Sequence, residues 1–214
     1  MRSASGIDAV TVDAFGTLLE LVDPVEALRA ALGRRGVERG EDTVRSAFRA
    51  EVAHYRPRSL AGRDAVGLAA LREECVGVFL SAAEADLPPA SFVDAFISSI
   101  DFAPADGALR ALEQIAAAGI ALGCVANWDI GLHDHLRRAG IAQRFHTVLP
   151  SAEAGYEKPD PRIFAVALER LAVEPGRAVH IGDEEADRRG ALLAGMGFEP
   201  VPLASLPARL GLGQ

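Results

Sequence analysis

The sequence predicts an α/β protein, a parallel sheet sandwiched between two layers of helices, with a helical domain inserted after the first strand. Three observations carry this. The apolar run at residues 9–12 stops abruptly at Asp13, as a buried parallel strand does at its carboxyl end. Residues 20–102 keep helical spacing with no convincing strand, far more chain than the roughly dozen residues a strand-to-strand crossover needs. From Pro104 onward helical and strand-like stretches alternate, the pattern of a parallel sheet. The expected division is a core of residues 1–19 and 103–214 around a helical domain of residues 20–102.

Composition narrows the classes. The 214 residues are 50% hydrophobic and 24% charged, ordinary for a globular protein with a real core. A formal charge of −8 and a pI near 5.2, without a basic stripe, argue against nucleic acid as a partner. Cys75 and Cys124 are too few for a disulfide framework or a zinc site and point to a reducing compartment. Asp8 and Asp13 interrupt any apolar signal segment, and the longest uncharged stretch, Ile115 to Trp128, is too short to span a bilayer. A cytoplasmic protein, monomeric or a homodimer, with no membrane partner is the expectation.

The elements follow in order. The first strand closes on Asp13, and Gly16 breaks any continuation. Asp23-Pro24 opens a helix with Val25, Leu28 and Leu32 on one face. Asp42-Thr43 opens a second, with Val44, Ala47 and Phe48, ending before Pro57. Leu68, Leu71, Cys75 and Phe79 mark a third, and Phe92 and Phe96 a fourth beyond Pro88-Pro89. In the second half, helices are expected at 106–118, 130–139, 163–171 and 184–194, and strands at 120–126, 145–149 and 178–181 with an edge strand near 199–201. Residues 150–159 read as a loop.

That order collects the polar residues. Asp13, Asn127 and Asp183 each follow a strand directly, and Lys158 lies in the loop after another. In a parallel sheet all those ends share one edge, where open α/β sheets place ligand chemistry. Asp183 and Asp187 lie four apart at a helix start, so they and Asp13 make an acidic cluster that asks for a cation, and hard oxygen ligands favour Mg²⁺. His180, inside an apolar strand, reads as a hydrogen-bonded core histidine, and Asp129 as a helix cap.

The motifs resemble those of the haloacid dehalogenase-like hydrolase superfamily, in the subfamily with a helical cap inserted into a Rossmann-like core. Asp13-Ala14-Phe15-Gly16-Thr17-Leu18 is similar to the first motif, and Val125-Ala126-Asn127 occupies the place of the second. Lys158-Pro159-Asp160-Pro161-Arg162-Ile163-Phe164 resembles the third, and Gly182-Asp183-Glu184-Glu185-Ala186-Asp187 the fourth. The resemblance implies a phosphatase that forms an aspartyl-phosphate on Asp13, with Lys158 as its catalytic partner. It implies Mg²⁺ on Asp13, the Phe15 carbonyl, Asp183 and Asp187, and contacts to a small phosphorylated substrate from Thr17, Ala126, Asn127 and Lys158. In two places this chain departs from the pattern: Phe15 stands where such phosphatases carry their general-acid aspartate, and Ala126 where the second motif has a hydroxyl. A fold that has kept binding and lost turnover, and a 2-haloacid dehalogenase using Arg45 or Arg49 for the substrate carboxylate, are the competing readings.

Overall fold

The structure is a computed structural model and describes residues 6–212. In chain order the elements are β1 (Ala9–Val12), β2 (Leu19–Leu21), α1 (Val25–Gly33), α2 (Glu41–Tyr55), α3 (Ala65–Ala82), α4 (Pro89–Ser98), β3 (Phe102–Pro104) and α5 (Ala108–Ala117). Then follow β4 (Ala121–Ala126), α6 (Leu132–Arg138), β5 (Thr147–Pro150), α7 (Ser151–Ala154), α8 (Pro161–Leu171), β6 (Ala178–Gly182), α9 (Glu185–Leu193), β7 (Gly197–Pro200) and α10 (Leu206–Arg209). The chain divides into two compact units, one of the segments up to Glu20 and from Ala103 onward, the other Leu21–Phe102.

The first unit is the α/β sandwich that the sequence predicts. Its sheet runs β5-β4-β1-β6-β7, all parallel. β1 is therefore central and covered on both faces, which is why Ala9, Val10 and Val12 read as a continuous apolar run and have no exposed surface. β4 and β6 flank it, and α8 packs Ile163, Phe164 and Ala167 into the same core as Val125, Leu149 and Ala191. The last strand, at Gly197–Pro200, begins earlier than the sequence suggests, because it is an edge strand with only partial burial and no apolar run to mark it. Ser151–Ala154, expected as loop, forms one helical turn ended by Gly155 in the left-handed region. β2 and β3 pair with each other, and at three residues each they are too short for alternation to reveal.

The second unit is helical. Val25, Leu28 and Leu32 of α1 meet Val44, Ala47 and Phe48 of α2, Phe79 and Leu80 of α3, and Phe92 and Phe96 of α4 in one core. Phe79 lies stacked against Phe92, with ring centroids 6.2 Å apart, and tilted against Phe96 at 5.0 Å. Among the described residues no helix is long and apolar enough to cross a membrane.

One polar group is enclosed in this helical unit. Glu51 of α2 is 6% exposed and accepts a hydrogen bond from the Cys75 thiol of α3. Burial pushes its carboxyl up to about 7 from the usual 4.5, against the small opposing pull of that bond. The raised value means that the neutral acid supports the fold fully below about pH 4.5 and that this support is lost as pH rises through about 7. Glu51→Gln is therefore expected to raise the urea stability by about 1–2 kcal/mol near pH 8 and to leave it unchanged near pH 4. An equal gain at both pH values in urea titrations contradicts the assignment.

Candidate active site at the strand ends

Alternation along the strands builds the site. Residues two apart in a strand face the same way, so Thr11 in β1 and Asp13 just beyond its end share a face. Thr11 is the register partner of His180 in β6, and the two side chains meet across the strands, Thr11 Oγ1 at 2.9 Å from His180 Nδ1. Gly182 follows His180 on that face. A Cβ there would come within 2.3 Å of the Asp187 carboxyl carbon, so the glycine leaves the space that Asp187 fills. Asp187 arrives from the first turn of α9, where its Oδ2 accepts the Glu184 backbone N–H at 3.0 Å, half of a capping box.

Lys158 joins these groups. It is the only lysine in the chain, 4% exposed, on the loop between α7 and α8. Asn127, at the end of β4, grips its peptide with both amide atoms: Nδ2 donates to the Lys158 carbonyl at 2.9 Å and Oδ1 accepts from its N–H at 2.7 Å. The ammonium then donates to Asp13 Oδ1, to Asp187 Oδ1 and to the Val125 carbonyl. Those are all three of its N–H donors. The sequence offers Asn127 and Lys158 as substrate contacts; in this structure Asn127 also holds the Lys158 peptide, and Lys158 holds two carboxylates.

Asp183, at the end of β6, is exposed. Thr17 Oγ1 is 3.4 Å from Asp183 Oδ1, a long hydrogen bond. Gly16 has φ +79°, and a Cβ there would sit 2.4 Å from Asp183 Oδ2, so both its backbone and its missing side chain admit the carboxylate. Phe15 is 41% exposed and Ala126, closing β4, is buried. Ligand oxygens of Asp13, Asp183 and Asp187 all lie within 4.8 Å of one another. In the helical unit Arg45 is taken up by Asp23 at 3.0 Å and Glu41 at 2.7 Å.

The electrostatics separate the two carboxylates that share the lysine. Burial pushes Asp13 up to about 6, against the pull of Lys158, with the charge of Asp187 adding to the rise. Burial works the same way on Asp187, but there the His180 hydrogen bond and the Lys158 charge win and hold it well below the usual carboxylate range. Burial alone would lower Lys158, and the two carboxylates hold it above the ordinary lysine value instead. Burial keeps His180 neutral, down to about 4. An ionised Asp187 only accepts, so His180 Nε2 carries the proton it shares with Asp187 Oδ1 at 3.0 Å, and Thr11 donates to Nδ1. His180 is thus the buried, bonded histidine its sequence context suggests. Asp129 likewise accepts from the Gly131 N–H at 2.6 Å, capping the turn into α6.

Thr11 is the site-building residue that sequence reading missed. Its signal was a threonine two places before Asp13 in an otherwise apolar strand, and only the β1–β6 register gives it a partner. The uniqueness of Lys158 was the other available signal.

Comparison with known proteins follows the same lines. A family profile described as haloacid dehalogenase-like hydrolase matches residues 7–195. The haloacid dehalogenase-like hydrolase domain-containing protein 3 of Mus musculus is 33% identical over 211 residues, covering 91% of this chain and 84% of that protein. The glyceraldehyde 3-phosphate phosphatase of Methanopyrus kandleri is 41% identical over 95 residues, 44% of this chain and 41% of its own length. Among solved structures, a 2-haloacid dehalogenase from Pseudomonas syringae superposes with a TM-score of 0.65 at 23% identity over 96% of this chain and 98% of that one, a likeness of fold.

Proposed function

We infer the reaction from one premise: the chain belongs to the haloacid dehalogenase-like hydrolase family. Within that family we propose a Mg²⁺-dependent phosphatase acting on a small phosphorylated molecule through an aspartyl-phosphate on Asp13. The observation that carries it is the buried Asp13–Lys158–Asp187 arrangement with Asp183 beside it at the strand ends. Relatives named as phosphatases support the substrate class. The helical unit we take as the cap that selects the substrate.

The donor set fits magnesium. Three carboxylates against one ammonium leave an excess of negative charge, and carboxylate and carbonyl oxygens are hard ligands. Asp13, Asp183 and the Phe15 carbonyl would hold the ion. Asp187, whose oxygens already serve Lys158, His180 and the Glu184 N–H, would support it from behind. When bound, the ion supplies positive charge against the transferring phosphoryl group.

The protein groups do the rest. An Asp13 oxygen attacks phosphorus, and the bond to the leaving oxygen breaks with its electron pair going to that oxygen. Water then attacks the acyl phosphate, releasing inorganic phosphate and restoring the carboxylate. Lys158 keeps the nucleophile in place and offsets charge, the positioned-cation role in phosphoryl transfer. With Phe15 in place of the second aspartate, no carboxyl two residues on can protonate the leaving group, so esters with poor leaving groups turn over slowly.

The expected result is Mg²⁺-dependent hydrolysis of p-nitrophenyl phosphate and acetyl phosphate. Phe15→Asp, at an exposed position, is expected to raise the rate on alkyl phosphates relative to acetyl phosphate by about two to four orders of magnitude. Metal-free release of chloride from a 2-chloro acid, without phosphate turnover, overturns the phosphatase reading. No turnover of either kind leaves a protein that has kept the fold alone.

A further inference from the structure

Behind the reacting groups lies a buried chain of side chains that the mechanism above does not use. Whereas Phe15 and Asp183 are exposed, Thr11 and His180 have no exposed surface. Yet their hydrogen bonds end on the carboxylate that shares an oxygen with Lys158. Thr11 Oγ1 meets His180 Nδ1 at 2.9 Å, His180 Nε2 meets Asp187 Oδ1 at 3.0 Å, and that oxygen also takes the Lys158 ammonium. The Phe164 ring stands edge-on to the imidazole, with centroids 4.8 Å apart at 71°, which leaves the ring little freedom to turn.

We propose that His180, oriented by Thr11, is a positioning residue that fixes the Asp187 carboxylate and through it holds Lys158 against Asp13. The reasoning is one of competing geometries. Asp187 Oδ2 is fixed by the Glu184 N–H, which leaves its Oδ1 edge to swing about that contact. A second, rigid donor on Oδ1 beside the ammonium removes that freedom. The donor must be neutral: a charged one would compete with Lys158 for the carboxylate. A buried imidazole with its other nitrogen accepting from a hydroxyl meets both conditions. The role calls for no proton transfer and no change of charge. It rests on the phosphatase reading only for its effect on turnover, because the placement of Lys158 is measurable by itself.

Two arms test it. On p-nitrophenyl phosphate with Mg²⁺, His180→Phe keeps an aromatic ring against Phe164 and removes the donor. It is expected to lower kcat about 10–100-fold with KM nearly unchanged, the usual cost of losing a supporting hydrogen bond. His180→Gln restores a donor and is expected to recover most of the rate. In the second arm an amine-directed ester modifies the single lysine, with the α-amino group separated by peptide mapping. Lys158 is expected to react several-fold faster in His180→Phe than in the unaltered chain, and at the unaltered rate in His180→Gln. Phe164→Leu loosens the same core without touching the hydrogen-bond chain and is the packing control. Should His180→Phe not fold, Thr11→Val carries the test with about a threefold loss in kcat and a matching rise in labelling. A rise in labelling as large in Phe164→Leu, or unchanged kcat and labelling in the hydrogen-bond variants, overturns the proposal. If the unaltered protein turns over no phosphate ester, the phosphatase reading fails and the labelling arm alone decides this one.

Discussion

Asp13→Asn is expected to reduce turnover by about four orders of magnitude or more and to abolish acid-stable phosphate trapping on the protein. An amide oxygen is a poor nucleophile, and no other described carboxylate takes the Asp13 place between the ends of β1 and β6. Asp13 is fixed there by its own backbone, whose N–H donates to the Ile181 carbonyl at 2.9 Å. The same substitution is not expected to destabilise the fold near neutral pH. Asp13 is nearly buried, and that burial raises it from 3.8 to about 6 despite Lys158. Its contribution to stability is fully present below about pH 3.8 and lost as pH rises through about 6. Asparagine removes that loss, and Lys158 keeps Asp187 as its counter-ion. Thermal melts are expected to show the variant gaining on the parent chain as pH rises from about 4 to 7. A variant that is inactive and also melts far lower at neutral pH would assign Asp13 a structural role instead.

Lys158→Met is expected to harm both stability and rate. The methionine fills similar volume but leaves Asp13 and Asp187 buried near one another with no cation between them. Breaking a buried pair from one side costs about 3–5 kcal/mol, readable as a lower urea midpoint. Asp13 then takes up a proton more readily, so the loss deepens as pH rises across the neutral range. The rate is expected to fall by about three orders of magnitude, since the positioned cation serves the transition state more than the substrate. A Met variant with parental stability would mean that the ammonium is dispensable to the fold, and the site's electrostatics would need another account.

How much of this was legible beforehand follows from the range over which each signal acts. Asp13 and Asp183 announce themselves locally, each ending a short apolar run before a glycine or a helix start, and the parallel alternation implies that such ends share an edge. The helical unit was visible because amphipathic spacing is also local: Val25, Leu28 and Leu32 need only their own helix to be read. What stayed hidden depends on pairing between distant segments. Asn127 lies 31 residues from Lys158, and only the fold brings its amide onto that peptide. The Thr11–His180 bond spans 169 residues and exists because β1 and β6 pair in one register. A slip of one residue between the two strands would put Thr11 and His180 on opposite faces of the sheet. The two three-residue strands and the turn Ser151–Ala154 were missed for the reverse reason, being too short to carry any period.

The dual service of Asp187 has one last consequence. The carboxylate that anchors the ammonium also closes the first turn of α9 through the Glu184 N–H. Fraying of that turn removes one of the three acceptors that hold the ammonium and leaves Asp13 and the Val125 carbonyl in place, so the lysine is expected to loosen as that helix end opens, before the sheet collapses. Hydrogen exchange at the Glu184 amide reports how often that turn opens.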